Sequence, residues 1–162
     1  MLPARNIILT MDDESLCALC RLSVTRGTGP GGQKRNKTST AVKLDLPELG
    51  ISVRDCTERS QFRNRRNALH KLRMEIALKI RQLPADAPEN MICSLSSPGY
   101  PLFAAQLLDI FAESNCFHHE AAEKCGVSPS SLLKKFFRDP QLWQKVQQMR
   151  LDAGLEKFNA PK

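Results

Sequence analysis

Nothing in this 162-residue sequence approaches the ~18 consecutive apolar residues that a membrane-spanning helix requires. Its first residues, MLPARNIILTMDDESL, turn acidic too soon for a signal or transit peptide, so the sequence reads as cytoplasmic, with no membrane partner. Cysteines stand at 17, 20, 56, 93, 116 and 125, without a second Cys-x-x-Cys pair. Cys17 and Cys20 have ligand spacing without partners, and His118 and His119 lie in a distant segment. No metal site is expected, and the thiols read as reduced, small apolar packing groups. Long-period repeats and low-complexity tracts are also absent, which leaves one ordinary domain or two small ones.

Acidic residues are scarce in one part of the chain. Residues 21–81 hold 15 Lys and Arg against 5 Asp and Glu, whereas residues 91–162 hold 8 against 7. A basic segment beside a near-neutral one implies that the first half meets a polyanion, most simply nucleic acid.

Thr10 followed by Met-Asp-Asp-Glu reads as a capped helix start, running to about Ala18. Alternation then predicts strands over residues 22–26, 41–46 and 51–56, the last two joined as a hairpin by the Pro47–Gly50 turn. From 58 to 83 the period changes to that of a long amphipathic helix. Phe62, Leu69, Leu72, Ile76, Ile80 and Leu83 form an apolar stripe expected to pack on the sheet, and Arg59, Arg63, Arg66, His70 and Arg73 form a basic one. Four prolines in residues 84–101 mark a linker, and residues 102–115, 119–125, 130–137 and 140–155 have helical spacing. Gly126, Ser128 and Pro129 suit the turn, cap and first residue of a helix-turn-helix. The fold class is therefore α+β: a small mixed or antiparallel sheet with a long packed helix over 1–83, then a small all-α, helix-turn-helix-like domain over 102–162.

The segment RGTGPGGQKRNKTSTAV, residues 26–42, imitates two phosphate-binding loops. A dinucleotide fingerprint must open a long apolar helix whose N-terminus meets the pyrophosphate, and here a polar run leads straight to a strand. A P-loop needs lysine directly after its last glycine, and Gln33 stands there instead. No cofactor is expected.

Gly29-Pro30-Gly31-Gly32-Gln33, then Asn36-Lys37-Thr38, Ala41-Val42-Lys43-Leu44, Glu58-Arg59-Ser60-Gln61 and Asn64-Arg65-Arg66-Asn67-Ala68-Leu69, resembles the GGQ domain of class I peptide-chain release factors and related ribosome-rescue peptidyl-tRNA hydrolases. The resemblance covers about residues 15–80. It implies ribosome-dependent hydrolysis of the peptidyl-tRNA ester, with the Gln33 backbone N–H as oxyanion donor and Gly31 and Gly32 permitting close approach. It implies that Lys34, Arg35, Lys37 and Lys43 contact ribosomal RNA, and that the Gln33 side chain restricts the nucleophile to water and is the target of a glutamine methyltransferase. The arginines Arg59, Arg63, Arg66 and Arg73 are assigned to the same RNA surface. Arg35 departs from the family, where valine is common.

Full-length release factors read stop codons with a domain placed before the GGQ domain. Only 25 residues precede Arg26, so the expected activity is codon-independent rescue by a monomer, acting on the large ribosomal subunit and peptidyl-tRNA. Short rescue factors commonly end in a basic tail, whereas Gly154 to Lys162 holds two lysines, and the helical segment takes the tail's place. The alternative is a non-catalytic RNA- or DNA-binding regulator that uses the basic fold and the C-terminal helices. Leu132, Leu133, Phe136, Phe137 and Trp143 read as core in either case.

Overall fold

The computed structural model describes residues 2–25 and 40–161. They form a mixed α/β chain of two compact units, residues 1–76 and 77–162. The first unit begins with two short helices, α1 (Arg5–Thr10) and α2 (Asp13–Ala18). Strands β1 (Arg21–Thr25), β2 (Ala41–Leu46) and β3 (Ile51–Asp55) follow, then helix α3 (Gln61–Lys79), within whose last turn the division between the units falls.

The sheet is antiparallel in the order β1-β2-β3. Its register places Leu44 opposite Val53, Leu46 opposite Ile51 and Val42 opposite Asp55. Because side chains alternate along a strand, these pairs share one face, and every member is buried. Gly50 closes the β2–β3 hairpin at φ +64°, a left-handed conformation that glycine adopts without strain. Ala68, Leu72 and Ile76, four residues apart, give α3 its buried line, with Leu69 and Met74 beside it.

Three expectations are corrected here. Thr10 ends α1 rather than capping α2, its hydroxyl bonding back to the Asn6 and Ile7 carbonyls. The cap is Asp12, whose carboxylate accepts from the Glu14 and Ser15 amides at 2.9 and 2.8 Å. Finally, the long helix is shorter than 58–83, so its expected apolar stripe does not hold at the ends. Phe62, in the first turn, is 75% exposed, and Leu83, beyond the last turn, is 57% exposed.

The second unit contains α4 (Tyr100–Glu113), α5 (His118–Lys124), α6 (Pro129–Phe137) and α7 (Pro140–Asp152). Its core is aromatic and aliphatic: Phe111 meets Phe136 edge-on at 5.4 Å, among buried Leu107, Leu108, Leu132, Leu142 and Val146. Gly126, at φ +65°, turns the chain between α5 and α6, and the Ser128 hydroxyl caps α6 by accepting from the Ser131 amide. Asp139 caps α7 and accepts the buried Tyr100 hydroxyl at 2.9 Å. Burial first, then that hydrogen bond and the carboxylate's charge, push the Tyr100 phenol far above its ordinary range.

Residues 84–99 have no helix or strand but are hydrogen-bonded to these helices. The Ala85 amide donates to Glu113, and the Met91 and Cys93 carbonyls accept from Lys135 and Arg138. At the far end, the Gln147 amide exchanges two 2.8 Å hydrogen bonds with the Phe158 backbone, and Arg150 covers the Phe158 ring at 3.9 Å.

Candidate nucleic-acid interface

Thr25 pairs directly with Ala41 at one end of the β1–β2 ladder. The chain therefore leaves the sheet into the glycine-rich segment and returns from it at a single pair of neighbouring residues. Gly31, Gly32, Gln33, Lys34, Arg35 and Lys37 lie within residues 26–39, outside the described residues.

What holds the return of that segment is Asn64, on α3 and 0% exposed. Its Nδ2 donates to the Thr40 carbonyl at 2.6 Å and to the Glu58 carbonyl at 2.9 Å, while its Oδ1 accepts from the Glu58 amide at 2.8 Å. One buried amide side chain thus satisfies its own polar atoms on three backbone groups from two separate stretches of chain. It ties the end of the glycine-rich segment to the turn before α3.

A second polar clamp lies next to it. Asp55 is 2% exposed, at the sheet end that carries Ala41 and Val42. Its Oδ2 meets Lys71 Nζ of α3 at 2.6 Å, and its Oδ1 accepts from the Thr57 hydroxyl and amide at 2.8 and 3.1 Å. Burial alone pushes this carboxyl up, but Lys71 and the two Thr57 donors outweigh it and hold the acid below its ordinary value. Asn67 then donates to the Thr57 hydroxyl at 3.3 Å.

The basic residues divide by use. Arg59 and Arg66 are exposed beside the two clamps, and Arg63 is 72% exposed with Glu58 at 3.8 Å. Arg65, which the stripe analysis left out, is exposed in the same turn. Arg73 does not join them: only 11% of its side chain is exposed, and its guanidinium bonds to Asp13 and to the Met11 carbonyl, each at 2.7 Å. Lys43 is half-exposed and held by Asp45 at 2.8 Å. The Lys43 hydrogen bond, followed by one from Ser52, keeps the Asp45 carboxyl below its usual range.

Sequence reasoning missed Asn64 and Asp55 as anchors. Each has an ordinary local context, and the partners that define it are 24 and 16 residues away, at Thr40 and Lys71.

In the second unit, Ser128, Ser130, Ser131, Lys134, Lys135 and Arg138 line a shallow depression of about 400 Å³ with no carboxylate in its wall. Leu132 and Phe136 face the core as expected, but Phe137 is 45% exposed and meets a half-buried Trp143 edge-on at 5.3 Å. Among the described residues no group of three or more His, Cys, Asp or Glu is placed to hold a metal ion, and no helix is long and apolar enough to cross a membrane.

Comparison with known proteins agrees with the sheet-and-helix geometry. The RF-1 domain family matches residues 16–94. A peptide chain release factor homolog of Escherichia coli is 41% identical over 73 residues, which cover 45% of this chain and 34% of the relative. Peptide chain release factor 2 of Lactiplantibacillus plantarum is 43% identical over 56 residues, 35% of this chain and 15% of the relative. A chloroplastic peptide chain release factor of Arabidopsis thaliana is 33% identical over 95 residues, 54% of this chain and 20% of the relative. The chain thus spans between 15% and 34% of the length of these relatives. No solved structure matches. The match across residues 16–94 and the likeness to these release factors place this chain, through its RF-1 domain, in the class I release-factor GGQ-domain family.

Proposed function

We propose that this protein is a ribosome-dependent peptidyl-tRNA hydrolase that releases nascent peptide without reading a stop codon. The observation that carries the reading is the Thr25–Ala41 pair: the Gly-Gly-Gln segment starts and returns at the sheet end where Asn64 and exposed Arg59, Arg63 and Arg66 gather. Phosphate contacts from those arginines and from Lys34, Arg35, Lys37 and Lys43 would dock this end on ribosomal RNA and deliver Gln33 to the ester.

At the ester, a water oxygen bonds to the carbonyl carbon and the bond to the tRNA ribose oxygen breaks, that oxygen taking the proton. The Gln33 backbone N–H donates to the oxyanion of the tetrahedral intermediate, a contribution of ~3–4 kcal/mol. Gly31 and Gly32 remove the side chains that would keep this N–H at a distance. The Gln33 side chain narrows the pocket to water, and it is the atom group a glutamine methyltransferase would modify. In this reading the protein is a cytoplasmic monomer, and residues 102–162 are a helix-turn-helix-like domain that docks on the ribosome through the basic face of α6.

The test is release of labelled peptide from ribosome complexes with and without a stop codon in the decoding site. Release should occur equally on both templates. Gln33→Pro, which removes the N–H, should be at least as damaging as Gln33→Ala or Gly32→Ala. Full activity of Gln33→Pro excludes the backbone-donor mechanism, and strict dependence on a stop codon excludes rescue.

A further inference from the structure

Phe62 is the only aromatic residue among the first 76, and it is 75% exposed. An aromatic ring left in water forgoes the burial that every large aliphatic side chain of α3 in this unit obtains. No ring contact among the described residues involves it, whereas Phe111, Phe136, Phe137, Trp143 and Phe158 all pair with other rings. Core packing therefore does not account for its position.

Its neighbours are cations. Phe62 lies in the first turn of α3, and Arg65 and Arg66 follow at three and four residues, the spacing that puts side chains on one helix face about 5–6 Å apart at Cβ. Both arginines are exposed, and Arg59 and Arg63 flank the ring on either side in sequence. The nearest carboxylate in sequence, Glu58, lies 3.8 Å from Arg63. A flat apolar surface with guanidinium groups one turn away is what a single-stranded nucleotide needs: a ring to stack on its base and charges to hold its phosphate.

We propose that Phe62 is a nucleobase-stacking residue, receiving an unpaired base of ribosomal RNA while Arg65 and Arg66 hold the adjoining phosphates. The proposal rests on the release-factor reading for the identity of the RNA, and on the exposure and neighbours of Phe62 for the contact. It gives the interface two physically different parts. The arginine contacts weaken with salt through counterion release, and stacking does not.

Binding of the full chain to ribosomes across graded salt separates them. Phe62→Ala should weaken binding roughly 5- to 150-fold, the range for one stacked base, without changing the slope of log affinity against log salt. Phe62→Leu, which keeps apolar bulk but no π-face, should behave like Phe62→Ala, and Phe62→Trp should restore wild-type affinity. Arg65→Ala and Arg66→Ala should each lower the salt slope by roughly 0.7–0.9. The melting temperature should not move in the Phe62 variants, because the ring is exposed.

Equal affinity for Phe62→Leu and wild type overturns the proposal and points to an apolar protein contact, as does an unchanged affinity for Phe62→Ala. The same series on a single-stranded RNA oligomer distinguishes the two layers of the argument. Aromatic-dependent oligomer binding by a protein that ignores ribosomes removes the release-factor reading and keeps the stacking residue. Ribosome binding and peptide release that persist undiminished in Phe62→Ala do the reverse.

Discussion

The two units hold themselves together with different side chains. Residues 1–76 contain one aromatic, Phe62, and it is on the outside, so the buried groups there are mostly aliphatic, with Arg5 among them and Asn64 and Asp55 at the end of the sheet. Residues 77–162 contain all the other aromatic residues, and their core is built on Phe103, Phe111 and Phe136. An aromatic core gains its stability from area and shape. A polar clamp contributes less, but it fixes a backbone position, because hydrogen bonds are directional. The unit that carries the Gly-Gly-Gln sequence uses directional groups where the chain re-enters the sheet at Thr40 and Ala41.

The largest test of this contrast is Phe136→Ala. Removing a fully buried ring should cost about 3–5 kcal/mol, read by hydrogen exchange as lost protection in α4–α7 beyond any loss in the sheet. Asn64→Ala should cost about 1–3 kcal/mol, because it removes the side-chain partner of the part-buried Thr40 and Glu58 backbone groups. Unlike Phe136→Ala, it should also reduce peptide release by more than its effect on the fraction folded. An Asn64→Ala variant with intact release would break the link between clamp and loop.

Acid sensitivity comes next. The folded Asp55 carboxyl lies below its ordinary value of 3.8, so its stabilisation is complete above that value and is lost as pH falls through the folded one. Denaturant melts from pH 5 down to pH 2 should show Asp55→Asn with a flatter acid limb than wild type. At neutral pH the variant should be less stable by about 1–3 kcal/mol. Asp12 and Asp45 are held low as well, so part of the limb should remain.

The smallest effects distinguish two arginines of one helix. Arg73→Ala should lower stability by about 1 kcal/mol, through Asp13 and the Met11 carbonyl, with the salt slope of ribosome binding unchanged. Arg66→Ala should do the opposite, leaving the melt alone and reducing the slope by about 0.7–0.9.

That pair also marks where sequence reading stopped. Strands β2 and β3 were legible within a residue because period-2 alternation reports one buried face, and β2 runs from Ala41 to Leu46 as its pattern says. Ser128 and Gly126 were legible because caps and left-handed turns are local chemistry. Periodicity could not tell Arg73 from Arg66, since the difference is an aspartate 60 residues away. It also put Phe62 on the buried stripe, because a helix wheel contains no information on where the neighbouring sheet ends. Asn64 lies in the block that carries the family resemblance, but its anchoring role has no local sign until the chain is folded, because its partner carbonyl lies 24 residues back.

The Thr25–Ala41 pair has one more consequence. Joining the ends of a loop has an entropic cost that grows only with the logarithm of its length, about 0.6 kcal/mol per doubling. Here the strand ladder already holds both ends together, whatever residues lie between them. Lengthening residues 26–39 should therefore add very little to the entropic cost of closing the ladder. The scaffold and the reagent can then vary almost independently, one under selection for folding and the other for reaction.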